Sequence, residues 1–473
     1  MKNLGVIHYR KFTVPLILGI GIWLATPVRP DGLSMAAWHM LAVFIATIAA
    51  LITEPLPIGA VAFLGFTFSI VTGTVPVDAA VAGFGNPSIW LIALAFFLSR
   101  GFIKTGLGRR IALVIVGRFG KKTIGLVYSI IGVDLILAPA TPSNTARAGG
   151  VIYPIVESIS KALGSDPANK TERKIGSFLM FSEYQGNVIT SGMFMTAMAG
   201  NPLVYNFAVK AGIHLTWTSW FLAALVPGLV SLILFPLVLF KIYPPELKET
   251  PNAKKWADDE LKAQGPTTRA EKIMLGTFAL ALFLWVIASS IGLNATTVGF
   301  IAIAILLVTG VLSWTDILKE TGAWNTLFWF SVLVMMAGEL AKFGFIAWLS
   351  KGVDHYLHGM NWFVILVILV LVYFYLHYLF ASEVAHITAL FPATLALAVA
   401  GGVPPLLAAS MLAIAGNLVG STTHYASGPA PIYFGSGYIK QRDWWKNSFI
   451  LGVMYLAILL SVGTLWMKII GIW

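Results

Sequence analysis

The sequence predicts an all-α polytopic membrane protein, an inverted repeat of eleven transmembrane helices plus two opposed re-entrant hairpins. Three observations predict it. Of the 473 residues, 58% are hydrophobic and 11% charged, with a mean hydropathy of +0.84, which leaves too little polar surface to cover a soluble globule. Apolar stretches about 20 residues long, the length that crosses a bilayer core, recur along the whole chain. Two longer apolar blocks, one in each half, are each interrupted by a short polar tip.

Taken in order, the spans fall near 13–28, 35–53, 56–75, 85–105, 175–209, 219–243, 272–291, 295–312, 323–345, 406–434 and 447–470. The blocks at 124–160 and 362–400 read as the hairpins, because a polar, non-helical tip is tolerated at membrane depth only where protein buries it or water reaches it. Lys2, Arg10 and Lys11 precede the first apolar run, which has no small-residue cleavage site and so reads as a helix that stays. The N-terminus is also too short for an organelle transit peptide, which points to a bacterial inner (plasma) membrane.

Charge gives the orientation. With the N-terminus cytoplasmic and the C-terminus outside, 24 of the 31 lysines and arginines fall in cytoplasmic segments, as the positive-inside rule requires. That placement accounts for the net charge of +11 without nucleic acid. With no cysteine, disulfides, thiolate catalysis and Cys-based metal sites are excluded. No His, Asp or Glu cluster has metal-ligand spacing, so neither metal nor cofactor is expected.

Each half carries a span that opens on Trp and ends near Lys-Xaa-Gly (Trp90 to Gly106, Trp324 to Gly344), then a hairpin with a Ser-containing tip, then a long interrupted span. The first hairpin is entered from inside and the second from outside. Inverted repeats with broken helices mark secondary transporters, with the site at the repeat interface. The division expected is 1–123 as first scaffold helices, 124–210 as the first half of a transport domain, 211–361 as further scaffold with a cytoplasmic linker at 243–272, 362–434 as the second transport half, and 435–473 as a C-terminal helix. The linker mixes both signs of charge and reads as a surface helix without chemistry.

The first tip, Ala140 to Gly150, offers Ser143, Asn144 and Thr145 behind the helix-stopping Pro142. Uncharged hydroxyls, an amide and the free N–H groups of a restarting helix suit an anion such as a carboxylate; the same residues also cap helices routinely. The second tip supplies Ser382, Glu383 and His386. Two further polar breaks, Thr190 to Pro202 with Thr196, Gly200 and Asn201, and Asn417 to Pro431 with Ser427, Gly428 and Pro429, complete four interruptions, two per repeat. Four such breaks read as one midplane site. Asp134, Glu183 and Glu339 also lie at membrane depth without a motif that assigns them a role.

At these residues the chain resembles the divalent anion/sodium symporter family, whose members carry Ser-Asn-Thr tips on two opposed hairpins. Ser143-Asn144-Thr145 is intact, and Leu137 to Gly150 with Gly416 to Tyr438 resemble the branch of citrate/succinate antiporters and 2-oxoglutarate/malate translocators. The resemblance implies di- and tricarboxylate substrates (succinate, malate, 2-oxoglutarate, citrate), a homodimer, and an elevator movement of the hairpin domain against a scaffold. The chain departs from the pattern at the second tip, where Ser382-Glu383-Val384 lacks the Asn and Thr, and at Arg147 and His386, four residues after each motif Ser, where sodium-coupled members are generally neutral. The hairpins also differ by one residue between the Ser and the next Pro (Ser143 to Pro154, Ser382 to Pro392).

These departures support sodium-independent antiport in which Arg147, with His386 and Glu383, sets the charge balance. A fixed cation would balance a dianion, and an empty carrier with a net buried charge would cross reluctantly, giving obligate exchange. Against this, Arg147 can be a structural partner of a carboxylate such as Glu183 or Glu383, His386 can be a neutral packing residue, and Glu383 can pair with Arg147 or Lys342 or hold a proton. A sodium-coupled dicarboxylate symporter is the alternative transport mode. An enzyme is not expected, since no His-Glu-Xaa-Xaa-His or Gly-Xaa-Ser-Xaa-Gly arrangement occurs, and opposed hairpins give a channel no continuous pore.

Overall fold

The protein is described by a computed structural model covering residues 9–53, 55–345, 348 and 359–473. Lys2 and Lys351, both used in the charge reading, lie outside the described residues. Among the described residues every regular element is helical, apart from one isolated antiparallel bridge between Lys122 and Glu249.

Helices α1 (Thr13–Leu24), α2 (Met35–Thr53) and α3 (Ile58–Val71) pack in sequence. The short α4 (Val77–Ala82) leads into α5 (Pro87–Thr105), with a 42° bend between Val77–Gly85 and Ile89–Thr105. Then come α6 (Leu107–Phe119), the first hairpin with arms α7 (Thr123–Leu137) and α8 (Tyr153–Ala162), and a broken helix, α9 (Gly176–Met193) and α10 (Asn201–Lys210). Helix α11 (Trp217–Ile242), α12 (Asn252–Gln264), α13 (Arg269–Ile287), α14 (Ala295–Val308), α15 (Trp314–Lys319) and α16 (Thr321–Lys342) follow. The second hairpin has arms α17 (Trp362–Leu376) and α18 (Glu383–Ala400), and the second broken helix is α19 (Pro405–Leu418) with α20 (Ala430–Gly435). The chain closes on α21 (Gln441–Ile458), a π turn and α22 (Thr464–Ile469).

Among the described residues eight helices are long and apolar enough to cross a membrane, or nine if the bent pair counts as one. The eleven spans expected from sequence are not reproduced by helix length. The reason is geometric: α1, α3 and α14 have 12 to 14 residues, the interrupted spans are divided by their breaks, and three hairpin arms are themselves 18 residues long. At 1.5 Å per residue such an arm measures about 27 Å, close to the full thickness of a bilayer core.

Helix α9 lies at the centre, with all 18 residues buried, its polar side chains included. It packs against α7, α8, α11 and α19, while α19 packs against both arms of the second hairpin and α10 packs against α18. Both hairpins and both broken helices thus share one interior. The linker forms α12, which seats Ala253 and Ala257 on α6, where Cβ atoms added to Gly120 and Gly117 would each approach them to 3.4 Å. Arg109 pairs with Glu260 towards the C-terminal end of α12 (2.5 Å), and Arg110 pairs with Glu271 in the first turn of α13 (2.6 Å).

The two hairpins are built alike. In each a 3₁₀ turn starts five residues before the Ser (Ala138–Ala140 and His377–Leu379), and the Ser then caps the second arm. The one-residue difference in length is absorbed by a π-helical turn at Ala146–Ile152, which holds one extra residue within a helix; the second hairpin runs as plain α-helix.

Candidate functional site

Ser143 Oγ accepts from the Ala146 N–H (3.1 Å), and Ser382 Oγ accepts from the Ala385 N–H (3.3 Å). The restarting arms are therefore capped by equivalent hydroxyls. The residues after these serines meet: Asn144 Nδ2 donates to Glu383 Oε2 at 3.0 Å, joining the two tips directly. Asn144 Oδ1 also accepts from the Thr145 N–H (2.9 Å), and the Thr145 side chain stands against Gly428, where an added Cβ would collide with Thr145 Oγ1. The first tip thus touches both the second tip and the second break.

Arg147, expected as a fixed counter-charge, faces the protein itself. It is fully buried and all of its donors are engaged within the protein. Nε donates to Asp134 Oδ1 (2.9 Å), Nη1 to the carbonyls of Thr141 and Ala197 (2.9 Å each), and Nη2 to Ser191 Oγ (2.9 Å) and Thr190 Oγ1 (3.4 Å). Asp134 also accepts from Asn187 Nδ2 (2.9 Å) and from Thr190 Oγ1. The guanidinium is neutralised by a carboxylate on the other arm of its own hairpin, so it offers no free charge to a ligand. Its bonds to the first break fix the tip on α9. Thr196 adds to this, donating to the Pro139 carbonyl at 2.7 Å and accepting from Trp217 Nε1 at 3.3 Å.

His386 is corrected likewise. It is fully buried, with both ring nitrogens unpartnered among the described residues, and is enclosed by the rings of Tyr373 (4.3 Å), His377 (4.9 Å) and Phe380 (5.3 Å). No carboxylate among the described residues pairs with it. His377 Nε2 donates to the Ala426 carbonyl (2.8 Å), tying the second tip to the second break much as Thr196 ties the first.

The breaks are bound to each other. Asn201 Nδ2 donates to the carbonyls of Ser191 (2.8 Å) and Phe194 (3.0 Å), while its Oδ1 accepts from Asn417 Nδ2 at 2.7 Å. The Gly200 N–H faces Met198 Sδ (2.8 Å), Ser427 Oγ shares a 3.0 Å hydrogen bond with Tyr184 Oη, and Tyr184 Oη donates to the Gly420 carbonyl. Pro429 is buried at the start of α20. Of the expected site residues, Ser143, Thr145 and Ser382 are half-buried and Gly428 is exposed; Asn144, Arg147, Thr196, Gly200, Asn201, Glu383, His386, Ser427 and Pro429 are buried framework. The accessible part of this junction is thus two hydroxyl-capped helix starts and a glycine, with the framework behind. Lys342 pairs with Glu339 (3.3 Å), not with Glu383.

Asp134, Asn187 and Tyr184 were not singled out as site residues. Asp134 carried a signal, a lone acid in an apolar arm; Asn187 and Tyr184 carried none. The tip contact gives a test: Asn144→Leu strips Glu383 Oε2 of its donor and is expected to cost about 1–3 kcal/mol, read as a lower unfolding temperature in detergent.

Three comparisons bear on the chain. The model of the sodium:sulfate symporter transmembrane region matches residues 8–473. A Bacillus subtilis protein, YflS, provisionally named a malate transporter, is 53% identical over 97% of each chain. Dicarboxylate transporter 1 of Spinacia oleracea chloroplasts is 46% identical over 97% of this chain and 81% of its own, and the citrate/succinate antiporter of Escherichia coli K12 is 38% identical over 96% of each. Among solved structures, Neisseria gonorrhoeae MtrF shares the fold, with a TM-score of 0.56 at 13% identity over 96% of this chain and 94% of its own.

Proposed function

The chain belongs to the sodium:sulfate symporter family, in its dicarboxylate translocator branch, and from that premise we propose that it exchanges dicarboxylates such as succinate, malate and 2-oxoglutarate, and tricarboxylates such as citrate, across the bacterial plasma membrane. The observation that carries this reading is the junction of two like-built, Ser-capped tips through Asn144 and Glu383, with Thr145 against Gly428. Two helix starts facing one place suit a ligand with two carboxylates, each held by N–H groups and a hydroxyl.

Arg147 changes role in this proposal. With its charge balanced by Asp134, it holds the first tip in shape, and reluctance of an empty, net-charged carrier no longer explains exchange. Antiport is supported by the relatives named for it and by a second tip in which Glu383 and Val384 stand where the family pattern has Asn and Thr. The two hairpins and broken helices, at 124–210 and 362–434, move together as an elevator against the remaining helices; their shared interior supports this. Eleven spans with the N-terminus inside and the C-terminus outside, and a homodimer, complete the proposal. The protein is a transporter and not an enzyme.

Counterflow in proteoliposomes tests the substrate class. Labelled succinate entering vesicles that hold malate is expected to be displaced by C4 to C6 di- and tricarboxylates and not by monocarboxylates or sulfate. Displacement by sulfate alone contradicts the proposal.

A further inference from the structure

Among the described residues, Glu383 is a carboxyl group without an ion-pair partner. It is 4% exposed, its Oε2 accepts the Asn144 amide at 3.0 Å, and its Oε1 has no hydrogen-bond partner among the described residues. The group lies against the Gly420 backbone, where an added Cβ would come within 3.1 Å of Cδ. The nearby cation of the first tip, Arg147, is held by Asp134, and Lys342 is held by Glu339.

A carboxylate removed from water with one neutral hydrogen bond and no cation is costly, whereas the protonated acid is neutral and keeps the Asn144 bond through its carbonyl oxygen. Its neighbours in sequence and space, Ser382, Asn144 and Thr145, belong to the place where the proposed ligand brings two negative charges. An anion there and an ionised Glu383 repel, so each favours the other's neutralisation, and this coupling is reciprocal.

We propose that Glu383 is a proton-binding site filled together with the substrate: one proton held at the junction of the tips for each dicarboxylate bound. This rests on the dicarboxylate reading above and adds the ion that accompanies the anion. The proton stays on Glu383 while the anion is bound, and in exchange it travels in both directions, so no net proton current results.

The other titratable groups on the surrounding elements are His386 on α18 itself, Tyr373, Tyr375, His377 and Tyr378 on the facing arm and tip, and Arg147 with Asp134 on the first hairpin. Beyond them lie Tyr184 and Glu183 on α9, His424 and Tyr425 in the second break, Tyr205 and Lys210 on α10, and His39 on α2; α19 carries none. Glu183 is the rival, since it is buried with both oxygens unpartnered.

The experiment is succinate counterflow in proteoliposomes at equal internal and external pH, from about 6.5 to 9, where carboxylates of ordinary pKa are fully ionised. The wild-type KM is expected to rise about tenfold per pH unit on its alkaline limb, the slope of one linked proton. Glu383→Gln, a neutral mimic, is expected to exchange with a KM independent of pH, and Glu183→Gln to keep the wild-type slope. A flat wild-type KM, a slope that persists in Glu383→Gln, or a slope lost only in Glu183→Gln overturns the proposal. If Glu383→Gln does not fold, proton uptake by purified wild-type protein on adding succinate in weak buffer decides: close to one proton per succinate on the alkaline limb is expected, and none overturns it. Absence of wild-type exchange at every pH would instead overturn the dicarboxylate reading.

Discussion

Arg147→Met is expected to lose exchange together with about 3–5 kcal/mol of stability, because it leaves Asp134 buried and ionised without its partner. The carbonyls of Thr141 and Ala197 and the hydroxyl of Ser191 lose their donor in the same step, so the first tip loses its hold on the first break. Arg147→Lys is expected to fail as well, since one ammonium does not span the directions a planar guanidinium reaches. Removing both charges, in Asp134→Asn/Arg147→Gln, is expected to recover more stability than the sum of the single losses allows, and exchange with it. Thermal unfolding in detergent and counterflow on the same preparations check this. A double variant that is as stable as wild type yet inactive would return Arg147 to the role of a charge that faces the substrate.

Gly428→Val is expected to reduce exchange about 100-fold, the scale of effect that a displacement of about 1 Å has on a preorganised site. Gly428 is exposed, and any Cβ there runs into Thr145 Oγ1 and Cβ, so the side chain must push the first tip away from the second break. Gly435→Ala, at the end of the short helix α20 that follows Gly428, meets nothing within 4 Å and serves as the control that should leave exchange unchanged. Initial rates of counterflow, normalised to reconstituted protein, give the comparison. Equal rates for Gly428→Val and wild type would remove this junction from the site.

The parts of this arrangement that were legible in the sequence are those where polar residues interrupt hydrocarbon. Pro142-Ser143-Asn144-Thr145 and Ser382-Glu383 stand out because a membrane tolerates them only in a protected place, and both became caps at a shared junction. The extra residue between Ser143 and Pro154 was also countable, although its form as a π turn was not. What was not legible is the direction of side chains. Whether Arg147 faces a cavity or Asp134, thirteen residues earlier on the opposite arm, depends on the angle between the arms and the depth of α9, which no local pattern encodes. His386 is enclosed by rings from its own hairpin, and the same sequence read without geometry offered it as a charge. Hydropathy alone would have called the hairpin arms spans, since three of them are 18 residues long; only their polar tips set them apart.

The most direct test is uptake of labelled succinate into proteoliposomes that are either empty or filled with malate, each with and without an inward sodium gradient. Obligate exchange predicts rapid uptake into malate-filled vesicles, negligible uptake into empty ones, and no effect of sodium on either. Sodium-driven accumulation in empty vesicles would contradict the account.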